Sequence, residues 1–377
     1  MAAFMSHFYR KFCTQTPQTF KTLLTNLSKE RNLSKVVKIF KELSDIKRFR
    51  GVHRPYQDTI RRLASAKMFS DIEEVLEHQK QYEDITDEGF AVRLISLYGK
   101  AGMLDHASKL FDEMPQLKCE RTVKSFNALL QACVQCKKFS TVEKLFRELP
   151  LSLGVALNER SYNIVIQALC EMKSLDSAEL MLGEMESHGF QPSLITFNIL
   201  MNGFYLDGRF SDGERIWDRL EKSGIALDVV SFNAKLQGFL HWGKISDAVD
   251  LLEEMDSRGL KPDVITYNTL IRWCCNDGDL DKAKAIHERM VKNGCVLNRT
   301  TFQALIPILC KNGDFDLALK LCEESQSLYI NLDVRILQTV VNGLVKDLKV
   351  EKAENFVNLV KYKSVGRLKL RMPCNGE

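Results

Sequence analysis

Apolar positions along this chain follow a pattern that returns every 35 residues. The stretches QPSLITFNIL (191–200), ALDVVSFNAK (226–235) and KPDVITYNTL (261–270) show it most plainly. With Val264 taken as position 1, an aromatic side chain fills position 4 at Tyr162, Phe197, Phe232, Tyr267 and Phe302. One-residue insertions extend the series back through Phe126 and Tyr56 to Phe20. Positions 7 and 8 are apolar almost throughout, as in Leu129-Leu130, Val165-Ile166 and Leu305-Ile306. Apolar residues at 4, 7, 8 and 11 share one face of a helix. Ser or Thr at position 3 (Ser125, Ser161, Thr196, Ser231, Thr266, Thr301) is expected to be the N-cap of that helix. Gly at position 15 (Gly102, Gly208, Gly243, Gly278, Gly313) predicts its end, because a left-handed turn costs glycine least. A second amphipathic stripe follows, as in DKAKAIHERM (281–290), and Gly189, Gly224, Gly259 and Gly294 close it.

One such hairpin cannot bury its apolar face alone, so neighbours must stack. The expected fold is all-α, a right-handed α-solenoid of about ten 35-residue helix–turn–helix units forming one array. The expected units are 17–52, 53–87, 88–122, 123–158, 159–193, 194–228, 229–263, 264–298, 299–333 and a degenerate 334–368. Residues 369–377 are a basic C-terminal tail.

The tetratricopeptide repeat has nearly this length, but its Trp-x₂-Leu-Gly-x₂-Tyr pattern does not occur here. The phrases VITYNTLIRWCCNDGDLDKAKAIHERMVKNG and LITFNILMNGFYLDGRFSDGERIWDRLEKSG instead resemble the pentatricopeptide repeat. The resemblance covers about residues 17–368 and is most regular in units four to eight. It implies a repeat-only binder of single-stranded RNA in which each repeat faces one base. In such repeats the residue at position 5 and the last residue of the unit jointly select the base. Carried over, the selecting pairs are Asn127 with Asn158, Asn163 with Ser193, Asn198 with Asp228, Asn233 with Asp263, and Asn268 with Asn298. Asn at position 5 implies a pyrimidine; a closing Asp leans to U, and a closing Asn or Ser to C. Position 2 would sandwich the base, through Ile195, Val230 and Ile265, while Lys124 and Arg160 would lie beside phosphate. The outer pairs depart from the pattern: Lys21 with Val52, Gln57 with Asp87, Val92 with Thr122, and Gln303 with Asp333.

A lone Asn near a helix start is commonly a capping or turn residue. Five in succession, each behind a Ser or Thr able to cap, point instead to a ligand. Position 9 lies on the same face and is mostly polar, as at Gln131, Gln167, Asn202, Gln237 and Arg272.

Composition refines this reading. Apolar residues make up 45% and charged residues 27%, enough to bury an extended core. No run is long enough for a membrane span. A net charge of +4 permits a polyanionic partner without demanding one. The eleven cysteines fall mostly at apolar helical positions, such as Cys170, Cys274 and Cys310, which fits buried thiols in a reducing compartment. Cys133 and Cys136 have CxxC spacing, but no second pair follows at zinc-ligand distance, so no metal is expected. No Walker A loop, GxGxxG or deaminase His-x-Glu with a following CxxC occurs. We therefore expect no enzyme, no cofactor and no small-molecule substrate.

The first 29 residues contain no acid, and Phe4, Phe8 and Phe12 form a stripe beside Arg10 and Lys11. Residues 1–16 are read as a mitochondrial targeting segment; a plastid segment or the start of the first helix are the other readings. The basic runs KRFRGVHRP (47–55) and KYKSVGRLKLRMP (361–373) are solvated surface or clamps on phosphate. Chains of this kind, with a degenerate first half such as 69–115, resemble a short plant mitochondrial subgroup associated with the small ribosomal subunit. Three roles follow: a ribosome-associated protein holding rRNA, a free factor that stabilises or helps process a mitochondrial mRNA, or a protein-binding scaffold.

Overall fold

The computed structural model describes residues 17–363 and 370–373. The expected targeting segment, 1–16, lies outside them, as do residues 364–369 and 374–377 of the basic end. Among the described residues every regular element is helical. The chain divides into two compact units, residues 1–200 and 201–377.

In the first unit, α1 (Pro17–Lys29) pairs with α2 (Leu33–Ser44), and a single turn, α3 (Lys47–Arg50), follows. Next come α4 (His53–Ser65), α5 (Phe69–Glu77) and two 3₁₀ turns, His78–Gln81 and Glu83–Thr86. Then hairpins form from α6 (Glu88–Lys100) and α7 (Leu104–Glu113), α8 (Val123–Gln135) and α9 (Phe139–Leu153), and α10 (Glu159–Glu171) and α11 (Leu175–Ser187). α12 (Leu194–Leu206) lies across the division. The second unit holds α13 (Phe210–Lys222), α14 (Val229–His241), α15 (Ile245–Ser257), α16 (Val264–Asp277), α17 (Leu280–Lys292), α18 (Arg299–Lys311), α19 (Phe315–Ser327), α20 (Val334–Lys346) and α21 (Val350–Lys363). First helices stack on first helices, α6 on α8 on α10 in one unit and α14 on α16 on α18 on α20 in the other.

The position-4 aromatics Tyr56, Phe126, Tyr162, Phe232, Tyr267 and Phe302 are all buried between the helices. Capping differs from expectation. The Ser or Thr at position 3 is not the N-cap; the residue before position 1 is. Asn158, Asp228, Asp263 and Asn298 have extended backbone and accept the position-3 N–H, while the position-3 hydroxyl accepts the cap's own N–H. A cap must stand outside the helix, whereas position 3 is already helical. Its hydroxyl therefore fills the return half of a capping box.

Position 15 is left-handed, with or without glycine, in every expected unit after the first. Gly102, Gly208, Gly243, Gly278 and Gly313 have φ of 72–83°, but Lys67, Lys137, Lys173 and Leu348 hold the same turn at 57–60°. The turn is set by hairpin closure, and glycine only makes it cheaper.

Candidate nucleic-acid interface

The first helices bring positions 2, 5 and 9 to one face. The expected base-reading asparagines sit just below it, not on it. Asn127, Asn163, Asn233 and Asn268 are only 3–7% exposed, whereas Ile195, Val230 and Ile265 at position 2 stand 56–63% exposed above.

Each buried amide is held by the next repeat. Asn233 Nδ2 donates to Asp263 Oδ1 at 3.3 Å, and Asn233 Oδ1 accepts the Thr266 hydroxyl at 2.7 Å. Asn268 repeats this with Asn298 Oδ1 (3.1 Å) and Thr301 (2.7 Å), and Asn127 with Asn158 Oδ1 (3.0 Å) and Ser161 (2.8 Å). Asn163 accepts Thr196 at 2.7 Å, but its Nδ2 turns to Glu159 Oε1 at 3.4 Å. Ser193 joins this site through Thr196, whose hydroxyl accepts the Ser193 N–H at 3.2 Å. Asn198 is half-buried on α12, and Asp228 caps α14 through the Ser231 N–H at 2.9 Å. The sequence suggested a capping hydroxyl at position 3, and the structure gives that hydroxyl the return half of the capping box instead. Its second task, fixing which way the neighbouring amide points, was not legible in the sequence.

This bracket leaves chemistry unspent. An Asn side chain has two N–H donors and two lone pairs on its oxygen, and the bracket uses one of each. Asp263 spends only Oδ1 and keeps a second carboxylate oxygen, an acceptor. A closing Asn spends its oxygen on the cap and the neighbouring amide, which leaves its NH₂ as a donor. Between α16 and α18 an open groove is lined by Arg272, Thr300, Gln303, Pro307 and Lys311.

Other predicted features settle differently. Arg50, in the basic run 47–55, is turned inward: its guanidinium pairs with Asp84 at 2.8 Å and donates to the Ser44 carbonyl at 2.7 Å. It is therefore not a phosphate clamp. Leu370 near the chain end is buried, and Gln338 Nε2 donates to the Arg371 carbonyl. Burial pushes the Cys133 thiol up to about 12 and raises that of Cys136 as well, so both stay protonated. Among the described residues no group of three or more His, Cys, Asp or Glu is placed to hold a metal ion. None of their helices is long and apolar enough to cross a membrane.

Hairpins of fixed length, stacked in series and bracketed residue to residue, define a helical-repeat protein. One family model, described as the PPR repeat family, matches residues 121–171, 157–206, 227–276 and 262–311. A second, the PPR repeat, matches 18–46, 93–119, 195–225 and 300–330. The chain belongs to the pentatricopeptide repeat family. It is 48% identical over 169 residues to the small ribosomal subunit protein mS78 (rPPR3a) of Arabidopsis thaliana, covering 45% of this chain and 42% of that one. To mS79 (rPPR3b) of the same plant it is 41% identical over 196 residues, half of each chain. A third Arabidopsis thaliana relative, named as a mitochondrial pentatricopeptide repeat-containing protein, is 35% identical over 195 residues, 52% of this chain and 49% of that one. The chain spans about half the length of the curated relatives it matches.

Proposed function

We propose that this chain is a non-catalytic mitochondrial protein that binds single-stranded RNA, one repeat to a base, in association with the small ribosomal subunit. The observation that carries the reading is the bracket. In repeats four, seven and eight the position-5 amide and the closing side chain are hydrogen-bonded neighbours, each with hydrogen-bonding capacity unspent beneath the exposed face. Uracil presents an N3–H donor on its Watson–Crick edge and cytosine an N3 acceptor. The spare oxygen of Asp263 suits the first, and the spare NH₂ of Asn158 or Asn298 suits the second. Ile195, Val230 and Ile265 are exposed enough to flank a flat base. The names of the first two relatives support the ribosomal setting. The third relative and the basic, acid-free residues 1–16 support the mitochondrion.

Two experiments test this. A randomised-RNA selection with the purified protein is expected to enrich pyrimidine-C-U-U-pyrimidine single strands, 5′ to 3′, across repeats four to eight. Asn233→Thr beside Asp263 is expected to shift that repeat from U towards G, with discrimination of about 1–3 kcal/mol per base. Purine-rich winners would refute base reading and leave the protein-binding scaffold. Sedimentation of the tagged protein from isolated organelles separates the remaining roles. Co-migration with the small subunit at high salt supports the ribosomal one, and a light, RNase-sensitive peak supports a free mRNA factor.

A further inference from the structure

Repeat nine lacks the bracket and presents a different set of groups. Its position-5 residue, Gln303, is exposed, and among the described residues its side chain makes no hydrogen bond. The hydroxyl that would hold it is missing, because position 3 of the next unit is Ile336. Gln303 lines an open groove of about 540 Å³ between α16 and α18, with Arg272, Asn276, Thr300, Pro307 and Lys311 on its walls. That volume is ordinary for a cleft that holds a small ligand. No carboxylate lines the groove, and among the described residues neither Arg272 nor Lys311 forms an ion pair. The groove between α4 and α6 differs, since its Arg61 is already paired with Asp58 on the same wall at 2.7 Å.

Pro307 occupies position 9, where the other units carry Thr, Ser, Gln, Asn or Arg. Helix α18 nonetheless runs through it, from Arg299 to Lys311. Proline has no N–H, so the Gln303 carbonyl, four residues earlier, lacks the donor that an unbroken helix would supply. Both residues line the groove, which puts this unmet acceptor on its wall. The ligand that fits must bring anionic groups to Arg272 and Lys311 and a neutral donor to the carbonyl. A ribose with its flanking phosphates has both, because its 2′-OH can donate. A base amino group is the other donor that a strand offers. Here, though, position 2 is Thr300, without the apolar bulk of Ile195, Val230 or Ile265 to flank a base. We propose that the groove between α16 and α18 seats one ribose and its phosphates, and selects RNA over DNA through the Gln303 carbonyl without reading the base. This rests on the single-strand binding proposed above, and it places the seat one nucleotide 3′ of the five-base motif.

The test replaces one ribose at a time. The full chain is offered the single strand enriched by the randomised selection, extended by a few nucleotides at its 3′ end. Each position in turn carries 2′-deoxy or 2′-fluoro, the second keeping the RNA sugar pucker without the donor. Affinity is expected to fall about three- to tenfold at the nucleotide directly 3′ of the motif, equally for both, and by about twofold or less elsewhere. Pro307→Ala restores the helix N–H, so it is expected to melt a few degrees higher and to abolish this penalty. Arg272→Gln combined with Lys311→Gln is expected to keep the penalty and weaken every strand alike. In that double variant the slope of log K against log salt should shrink by about 1–2, near 0.7 per phosphate on a single strand. A penalty that survives Pro307→Ala would overturn the proposal, as would one spread evenly along the strand or one absent for 2′-fluoro. A chain that selects the pyrimidine motif but shows no ribose dependence refutes this seat alone. One whose winners are purine-rich, yet lose affinity at a single ribose in a Pro307-dependent way, refutes base reading and leaves the seat standing. Failure to bind any RNA overturns both.

Discussion

Asn233 and Asn268 have a structural task beside the base contact proposed for them, and the structural one is strong. Each orients through a hydroxyl from the following repeat, and each steadies the side chain that caps that repeat's first helix. In Asn268→Ala the buried Thr301 hydroxyl loses its 2.7 Å acceptor and Asn298 loses a donor. Thr301 still reaches Asn298 Oδ1 at 3.2 Å, so the loss is that of two hydrogen bonds, about 0.5–1.5 kcal/mol each, and thermal melting should show it without any RNA present. A variant at this position must therefore be read for folding before it is read for binding. His287 makes a pH prediction at the same scale. Burial lowers its pKa below the ordinary 6.5, against the pull of Glu324 and Glu288 and with help from Lys320. As pH falls through about 6.5 the unfolded chain takes the proton first. Stability contributed here is thus full above that pH and declines below it. His287→Leu should flatten denaturation midpoints measured between pH 7.5 and 5.5. Some slope should remain from His78, whose pKa is lowered by burial and then by Lys41.

At the scale of the element, close approach between first helices depends on small residues. A Cβ added at Gly99 on α6 would meet the Ala132 Cα of α8 at 2.8 Å, and backbone cannot swing aside. Gly99→Ala should therefore destabilise by about 1–3 kcal/mol, although alanine is the better helix former. A melting temperature at or above that of the parent would show that α6 and α8 stand further apart than described. Second helices are joined differently, by ion pairs one repeat apart: Lys41 with Glu74, Arg147 with Glu184, Arg258 with Glu221, Lys349 with Asp316. Exposed pairs of this kind contribute about 0–1 kcal/mol each, so packing of the first helices dominates the array. One hairpin breaks the apolar rule. Lys235 at position 7 is buried, paired with Glu214 at 2.7 Å, and its ammonium lies 4.5 Å from the centre of the Trp217 ring. Glu214 also accepts the Tyr205 hydroxyl at 2.8 Å.

For the whole molecule, stability is nearly a sum of hairpins and their nearest-neighbour faces. Deleting the proposed unit 229–263 should leave a soluble, fully helical protein, because the ends it rejoins are equivalent. Removing only 229–245 should expose an apolar face and cause aggregation. Circular dichroism and solubility distinguish the two, and identical behaviour would contradict the repeat boundaries proposed here. In the whole-unit deletion the selected RNA should shorten by one pyrimidine.

The sequence alone determined the helical hairpins, their 35-residue spacing and the buried aromatic at position 4. Each of these is a local or periodic property, written in the order of apolar and turn-forming residues. Tertiary structure decided what periodicity cannot carry. The asparagines of position 5 share a polar face in the helical projection, yet stacking drops them between repeats. There the partners that hold them, Thr266 and Asp263 for Asn233, come from about 30 residues downstream. Arg50 looked like part of a basic surface run, but its carboxylate partner, Asp84, lies in the next repeat and draws it inside. Lys235 was taken inward in the same way by Glu214. In each case burial of a polar group depended on a partner from another hairpin, and only folding brings those partners within bonding distance.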